Sequence, residues 1–237
     1  GQLSISLNNV NVLTFNAQTA GSTLVKTYGD ADINASAIAS SGLAVNYASS
    51  NPAVASVNTY GQVQILAAGT AIITASQLGN ANHTAAVPVS FTINVQQKTL
   101  IITANNFNNV YDGQSYNTGN GVTYNGFVNG ENEQHLQGSL SYTGTAIGAK
   151  NVGSYFITPG GYTSANYAIT YQDGSLTISK ANLTVTADAK TKVYGSSDPS
   201  LTYKVTGMVN NDAVTVVTGT LKRATGENIG TYVISNN

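Results

Sequence analysis

The sequence predicts an all-β protein made of β-sandwich domains in tandem, arranged as an elongated array whose last domain is incomplete. Apolar residues alternate with polar ones in short segments, as in residues 174–179, where Leu176 and Ile178 share one face. Turn residues interrupt these segments about every 8–12 residues, which is typical of sandwiches. A set of sequence blocks recurs after about 80 residues, a period that suits separate domains and is too long for a solenoid unit.

The composition excludes several classes of protein. Charged residues are only 8% of the 237 residues and the net charge is −1, without a basic run, so we expect no nucleic-acid partner. No stretch of about 18 apolar residues occurs, so we expect no membrane insertion in this segment. The chain has no cysteine, which is compatible with secretion when each domain is large enough to form a core.

A first domain is predicted over residues 11–98. Strands are expected at residues 12–15, 42–47, 54–57, 63–65, 68–74 and 89–95. Residues 26–30, which include Tyr28-Gly29-Asp30, read as a turn, and so do residues 49–52, since Asn51 before Pro52 disfavours helix. The regular alternation of strand and turn signals predicts one sandwich.

Two further domains, 99–180 and 181–237, align with each other block by block. The matched pairs include Val110-Tyr111 with Val193-Tyr194, residues 126–129 with 207–210, and residues 151–157 with 228–234. In the last pair, a glycine precedes a tyrosine whose hydroxyl is expected to tie the start of the strand back to a loop, as in a tyrosine corner. A structural role is favoured for these tyrosines over ligand binding.

The segments at the two ends of the sequence do not form complete predicted domains. Residues 1–10 are interpreted as the closing strand of a preceding repeat, at residues 3–7, or alternatively as an edge strand of the first domain. The third domain stops soon after Ile234, whereas the second continues through residues 167–171, a turn at Asp173-Gly174 and a closing strand, predicted to form a hairpin. The third domain is therefore a fragment, or is unstable as cut, or is completed by residues 3–7 of a neighbour.

The first domain resembles the bacterial Ig-like repeats of very large surface proteins. The resemblance covers nearly the whole domain and rests on Tyr28-Gly29-Asp30, on residues 47–55 around Asn51-Pro52, and on residues 67–75. The second and third domains resemble MBG domains, with Tyr111-Asp112-Gly113 and Tyr194-Gly195 as their turn signatures. This resemblance implies Ig-like β-sandwiches from an extracellular bacterial adhesin or filament protein.

No catalytic or cofactor-binding residues are predicted. The two histidines, His83 and His135, fall in different predicted domains, and no nucleophile elbow, zinc-binding motif or phosphate-binding loop occurs. Glu131 and Glu133 are the closest acidic pair, and we interpret them as surface-loop residues rather than a glycosidase pair. The sequence therefore predicts that the protein is not an enzyme.

No metal site is predicted, although calcium was considered because it stiffens many tandem extracellular domains. Asp30 and Asp32, or Asp188 near the second junction, are the acids that could contribute oxygen ligands. Neither set has the density of a calcium loop.

The expected function is that of a spacer stalk in a large extracellular surface or filament protein, with neighbouring repeats as its partners. Two alternatives remain open. One is a strand-exchanged filament subunit, in which copies of the chain associate. The other is an adhesin module that binds an unknown glycan or protein through tyrosine-rich loops at Tyr116, Tyr124 and Tyr162.

Overall fold

The computed structural model describes residues 10–236 and confirms the predicted all-β class. Within this range it has 20 strands and two single-turn 3-10 helices, Glu133–His135 and Val214–Val216. Among the described residues, no helix has the length and apolar character needed to cross a membrane. The strand predicted at residues 3–7 lies outside the described range.

The chain forms two compact units. The first contains the residues up to Thr103, together with Val122–Ser141 and Gly160–Gln172. The second contains Ala104–Gly121, Tyr142–Pro159 and the residues from Asp173 onward. The division runs through the predicted second domain, whose two sheets fall mainly in different units.

The predicted first domain lies wholly in the first unit and has three sheets. A four-stranded sheet has the order β2-β9-β8-β5, made of β2 (Thr23–Thr27), β5 (Asn46–Ser49), β8 (Gly69–Gln77) and β9 (Ala86–Gln96). The others are β3-β7-β6, made of β3 (Ile33–Asn34), β6 (Ala55–Val57) and β7 (Gln62–Ile65), and β1-β4, made of β1 (Leu13–Phe15) and β4 (Ala37–Ala39).

Five of the six strands predicted for this domain are confirmed, by β1, β6, β7, β8 and β9. The strand predicted at residues 42–47 is misplaced, because β5 begins only at Asn46. Gly42 has a φ of +72° and belongs to the turn after β4, so the chain is not extended there. β2, β3 and β4 were not predicted, and Lys26 and Thr27, which were assigned to a turn, belong to β2.

The predicted second domain has two sheets. One has the order β12-β10-β15, made of β10 (Lys98–Ala104), β12 (Val122–Asn125) and β15 (Tyr167–Gln172). The other has the order β11-β16-β14-β13, made of β11 (Phe107–Val110), β13 (Gln137–Thr143), β14 (Gly153–Thr163) and β16 (Gly174–Ser179).

The hairpin predicted for residues 167–180 is wrong, because β15 and β16 lie in different sheets. β15 pairs in parallel with β10, whereas β16 pairs antiparallel with β14 and parallel with β11. The Asp173-Gly174 signature therefore marks a crossing between sheets. Gly174 is needed there because a Cβ atom would lie 2.5 Å from the Ala104 carbonyl oxygen.

The third predicted domain has four strands among the described residues. β17 (Thr184–Ala187), the counterpart of β10, pairs only with β18 (Tyr203–Thr206), and β19 (Leu221–Arg223) pairs with β20 (Ile234–Asn236). No described strand takes the positions of β15 and β16 in this domain. As a result, none of the described residues after Ile178 is buried.

The cores follow the alternation in the sequence. In the first unit, Phe91, Ile73 and Leu100 are fully buried in one cluster, and in the second unit Ile157 and Leu176 form the centre of another. The predicted tyrosine corners are confirmed. The Tyr155 hydroxyl donates to the Asn151 carbonyl (2.9 Å), and the Tyr232 hydroxyl donates to the Asn228 carbonyl (2.8 Å).

Candidate functional site

The turn at residues 28–30 lies at the end of the first predicted domain from which the chain continues. β2 and β9 are parallel, with Thr27 opposite Gln96, and the Tyr28 amide extends the pairing by donating to the Gln96 carbonyl (2.9 Å). Because parallel strands end at the same edge of a sheet, Tyr28 lies beside the single residue, Gln97, that separates β9 from β10.

The turn at residues 111–113 repeats this arrangement in the second unit. β11 and β16 are parallel, with Val110 opposite Ser179, and the Tyr111 amide donates to the Ser179 carbonyl (2.8 Å). β16 ends at Ser179 and the chain continues towards β17. Residues 28–30, 111–113 and 194–196 are called the tyrosine turns below.

The first tyrosine turn contacts residues 126–131, which together with residues 207–212 are called the acidic loops. The Tyr28 hydroxyl donates to Oε1 of Glu131 (2.7 Å), and the Tyr167 hydroxyl donates to Oε2 of the same carboxylate. The rings of Tyr28 and Tyr167 meet edge to face with centroids 5.5 Å apart, and Phe127 meets Tyr167 in the same way at 5.4 Å. The half-buried Glu131 carboxylate therefore has two hydroxyl donors and aromatic neighbours.

Gly29 allows the acidic loop to approach the turn. It has a φ of +88°, and a Cβ atom built on it would lie 2.6 Å from Val128 Cγ2. The loop is held by a hydrogen bond from the Glu131 amide to the Val128 carbonyl (3.0 Å), with Asn129 at a φ of 57°. A side chain larger than hydrogen at residue 29 would displace Val128.

The second tyrosine turn contacts the second acidic loop in the same way. The Tyr111 hydroxyl donates to Oδ1 of Asp212 (3.4 Å), and Gln114 Nε2 donates to Oδ1 of Asn210 (3.3 Å). A Cβ atom built on Gly113 would lie 2.1 Å from Asn210 Cβ. This junction leaves a cavity of about 200 Å³ lined by Tyr111, Val152 and residues 207–209.

The third tyrosine turn differs from the other two. The Tyr194 side chain is 71% exposed. A Cβ atom built on Gly195 would meet no described atom within 4 Å, although its φ of +83° matches that of Gly29.

Burial and the neighbouring carboxylates change the acidity of the tyrosines in the occupied turns. Burial, followed by the hydrogen bond to Glu131, raises the pKa of Tyr167 to about 12. The same two causes raise the pKa of Tyr28, and desolvation followed by the hydrogen bond to Asp212 raises the pKa of Tyr111. Each hydroxyl is held in the protonated form that can donate to a carboxylate.

The acids considered for calcium do not come together. Asp30 accepts a hydrogen bond from the Thr27 amide (2.9 Å), Asp188 accepts one from the Thr202 hydroxyl (2.5 Å), and Asp32 is exposed. Across residues 10–236, no three His, Asp or Glu side chains form a group that could hold a metal ion.

The tyrosines predicted to form binding loops are mostly parts of sheets and clusters. Tyr124 lies in β12 and Tyr162 in β14, and their rings contact each other in the first unit with centroids 6.4 Å apart. Tyr116, in the second unit, stacks on Phe107 at 5.7 Å. The placement of Tyr124 and Tyr162 on loops was wrong, because their period-two neighbours make them strand residues.

Sequence reasoning missed the role of Glu131, which it treated as a surface-loop acid. A signal was present, because Glu131 and Asp212 each stand two residues after the aligned Asn129 and Asn210. The same alignment links Val152 with Ile229 and the second tyrosine turn with the third.

The third predicted domain also has two open grooves where closing strands are missing. A groove of about 450 Å³ lies between residues 190–194 and 226–234, where the counterpart of β16 would fit. It contains ion pairs of Lys192 and Arg223 with Asp198 and Glu227. A second groove, of about 650 Å³, is lined by Val185 and Ala187 on β17, where the counterpart of β15 would pair.

Comparison with solved structures gave matches of low similarity. Drosophila N-cadherin EC1-3 is 10% identical with a TM-score of 0.26, covering 71% of this chain and 68% of that chain. The fibronectin(III)-like modules of Clostridium thermocellum CbhA are 16% identical with a TM-score of 0.26, covering 71% and 95%. The S-layer protein rSbsC is 14% identical with a TM-score of 0.26, covering 96% of this chain and 36% of that one. Comparison with curated proteins gave no match.

Family models give the decisive result and confirm the predicted succession of an Ig-like domain and MBG repeats. Residues 28–78 match the immunoglobulin-like domain of intimin. Residues 100–177 and 183–237, more than half of the chain, match the MBG domain of the YGX type. These two ranges are called the first and second MBG segments below. The Tyr194-Gly195-Ser196 turn has the Tyr-Gly-x form in that description. The chain belongs to the family of YGX-type MBG domains.

Proposed function

We propose that this chain is a spacer segment of a large extracellular bacterial surface or filament protein, which carries load and performs no chemistry. The matched Ig-like and MBG families support a structural or adhesive surface role. In this proposal the chain comprises a closing strand at 1–10, an Ig-like domain at 11–98, an MBG-type domain at 99–180 and a truncated one at 181–237.

The observation that carries the proposal is the repeated contact between a tyrosine turn and an acidic loop. At the first junction only Gln97 separates β9 from β10, and the hydroxyl of the buried Tyr28 donates to the half-buried Glu131. A short connection with a second point of attachment restricts bending more than the connection alone. Such restriction is what a spacer under tension needs.

Small-angle X-ray scattering of the 237-residue chain tests this proposal. We expect a rod-like profile, and a broader distribution of distances when Gly29 is replaced by alanine, because the added methyl group displaces Val128. The matched control is Gly21→Ala, which has a similar positive φ and no atom within 4 Å of its Cβ position. A compact globular profile of the unaltered chain would refute the spacer function.

A second candidate function is strand-exchanged assembly, which the grooves of the second MBG segment favour. The groove between residues 190–194 and 226–234 lies where the counterpart of β16 would fit. Residues 1–6 have the pattern Gly-x-Leu-x-Ile-Ser, which matches residues 174–179, so a second copy of the chain carries a suitable donor strand. Sedimentation equilibrium tests this idea, since deletion of residues 1–10 is expected to abolish self-association. A monomer at all concentrations contradicts it.

A further inference from the structure

We propose that the third tyrosine turn, 194–196, with Ile229 beside it, is a docking site for the acidic loop of a further YGX-type MBG domain placed after this one in tandem. The inference rests on the proposed spacer function. It assigns a role to the Tyr-Gly-x turn after which the family is described. The occupant is a loop with the order glycine, apolar residue, valine, asparagine, any residue, and then Asp or Glu. Both acidic loops of this chain have that order.

The two occupied turns show what the third is built to receive. In each of them a tyrosine hydroxyl donates to the acid of a loop, Tyr28 to Glu131 and Tyr111 to Asp212. In each of them a glycine leaves room for the loop, Gly29 as the second residue of its turn and Gly113 as the third, so that a Cβ atom would overlap Val128 or Asn210. Gly195 has a left-handed φ like that of Gly29, but no described atom lies within 4 Å of its Cβ position. The third turn therefore has the backbone conformation of the first without a loop against it.

The direction of the strands places this turn where a following domain begins. Residues 190–193 correspond to β11, and β11 runs parallel to the last strand of its own domain, β16. Parallel strands end at the same edge. Once the counterpart of β16 is present, Tyr194 therefore stands beside the exit of the chain, as Tyr28 and Tyr111 do.

A second observation identifies the same surface independently of the turn. Val152 lines the cavity at the second junction, together with Tyr111, Met208 and Val209. Its aligned counterpart is Ile229, which is 93% exposed. The exposed pair Tyr194 and Ile229 thus corresponds to Tyr111 and Val152, which line the cavity beside the second acidic loop. The nearby cations Lys192 and Arg223 already have carboxylate partners, Asp198 and Glu227, and the Tyr194 hydroxyl is a further donor for an incoming carboxylate.

The test compares two extended forms of the whole chain. The short extension adds a second copy of residues 161–180 after Asn237, which supplies the counterparts of β15 and β16 and no new loop. The long extension adds the same residues followed by a copy of residues 98–180, which brings a complete MBG domain with its acidic loop. Amide hydrogen exchange is measured by mass spectrometry on peptides that contain Tyr194 and Gly195.

We expect exchange at residues 194–196 to be about tenfold slower in the long extension than in the short one. Replacing the added copy of Glu131 by alanine, or replacing Gly195 by alanine, should remove that difference. Gly195→Ala introduces the same left-handed backbone strain in both extensions. A loss of exchange protection that occurs only in the long extension therefore reports the docking contact.

Equal exchange in the two extensions, with the strands of the added domain protected, would overturn the docking site. If the strands of the added domain are not protected in the long extension, the copy of residues 98–180 is replaced by a copy of residues 98–237. Equal exchange at residues 194–196 in that longer chain and in the short extension would also overturn the docking site. Scattering separates the two proposals, because a rod-like long extension without protection at Tyr194 refutes docking while the spacer function stands. A compact profile refutes the spacer function itself.

Discussion

Glu131 is the residue on which the first tyrosine turn depends. Its carboxylate receives hydroxyl hydrogen bonds from Tyr28 and Tyr167, both of which are buried, with 4% and 3% of their surface exposed. A carboxylate in such a place is stabilised by charge-assisted hydrogen bonds rather than by a cation. Removing it leaves two buried hydroxyl groups without their acceptor, which costs more than losing an exposed acid.

We therefore predict that Glu131→Ala lowers the free energy of unfolding by about 1–3 kcal/mol. The control is Glu133→Ala, since Glu133 is exposed two residues away and its replacement should change stability by less than about 0.5 kcal/mol. Urea unfolding followed by circular dichroism measures both. Equal losses in the two variants would show that the carboxylate does not hold this contact.

The raised pKa of Tyr167 gives a prediction at high pH. The pKa is about 12 in the folded chain against 10.0 for an ordinary tyrosine, so the contribution to stability is fully present below about pH 10. It is lost as pH rises through the folded value of about 12. Titration of the phenolate ultraviolet absorbance should show a late step that Tyr167→Phe removes. A titration curve unchanged by this substitution would contradict the assignment.

At the scale of elements, the parallel pairing of first and last strands decides where the tyrosine turns lie. β2 pairs with β9 and β11 pairs with β16, and in both cases the turn follows the first strand directly. An antiparallel pairing of the same strands would place the turn at the opposite edge, away from the next domain. The position of the tyrosine turn therefore depends on how these strands pair.

The two faces of strand β14 differ in burial, and this difference can be tested by substitution. Ile157 is fully buried beside Leu176, whereas its neighbour Phe156 is 62% exposed. We predict that Ile157→Ala costs about 2–5 kcal/mol because it leaves a cavity, and that Phe156→Ala costs under about 1 kcal/mol although it removes more atoms. Thermal unfolding measures the two. A larger loss for Phe156→Ala would mean that the predicted alternation fails in this strand.

At the scale of the whole molecule, buried residues are distributed unevenly along the chain. The three core clusters are formed by described residues up to Ile178, and no described residue after it is buried. The second MBG segment has paired strands, β17 with β18 and β19 with β20, but no described partners in the positions of β15 and β16. Two-stranded pairs without a covered face are marginal in water.

Amide exchange should therefore be faster across residues 184–236 than across residues 98–179, by an order of magnitude or more. Mass spectrometry of peptic fragments gives this comparison in a single experiment. The short extension described above serves as the control, since the added strands should slow exchange in residues 184–236. Equal protection of the two MBG segments in the unaltered chain would be inconsistent with the missing strands.

Most of the strands and the family could be predicted from the sequence, because alternation such as Leu176 and Ile178 reports burial directly and because a repeated block identifies itself. The sheet to which each strand belongs could not be predicted from the sequence. Residues 167–180 have the local pattern of a hairpin, and only the pairing of β15 with β10 and of β16 with β14 shows that they belong to different sheets.

The sequence by itself determined the all-β class, the succession of repeats and the glycines of the tyrosine turns, since each of these depends on neighbouring residues or on comparison of one block with another. Only the tertiary structure decided what the turns contact. Tyr28 and Glu131 are 103 positions apart, and no local pattern encodes a contact over that separation. The contact exists because parallel pairing brings the turn to the edge at which the next domain begins.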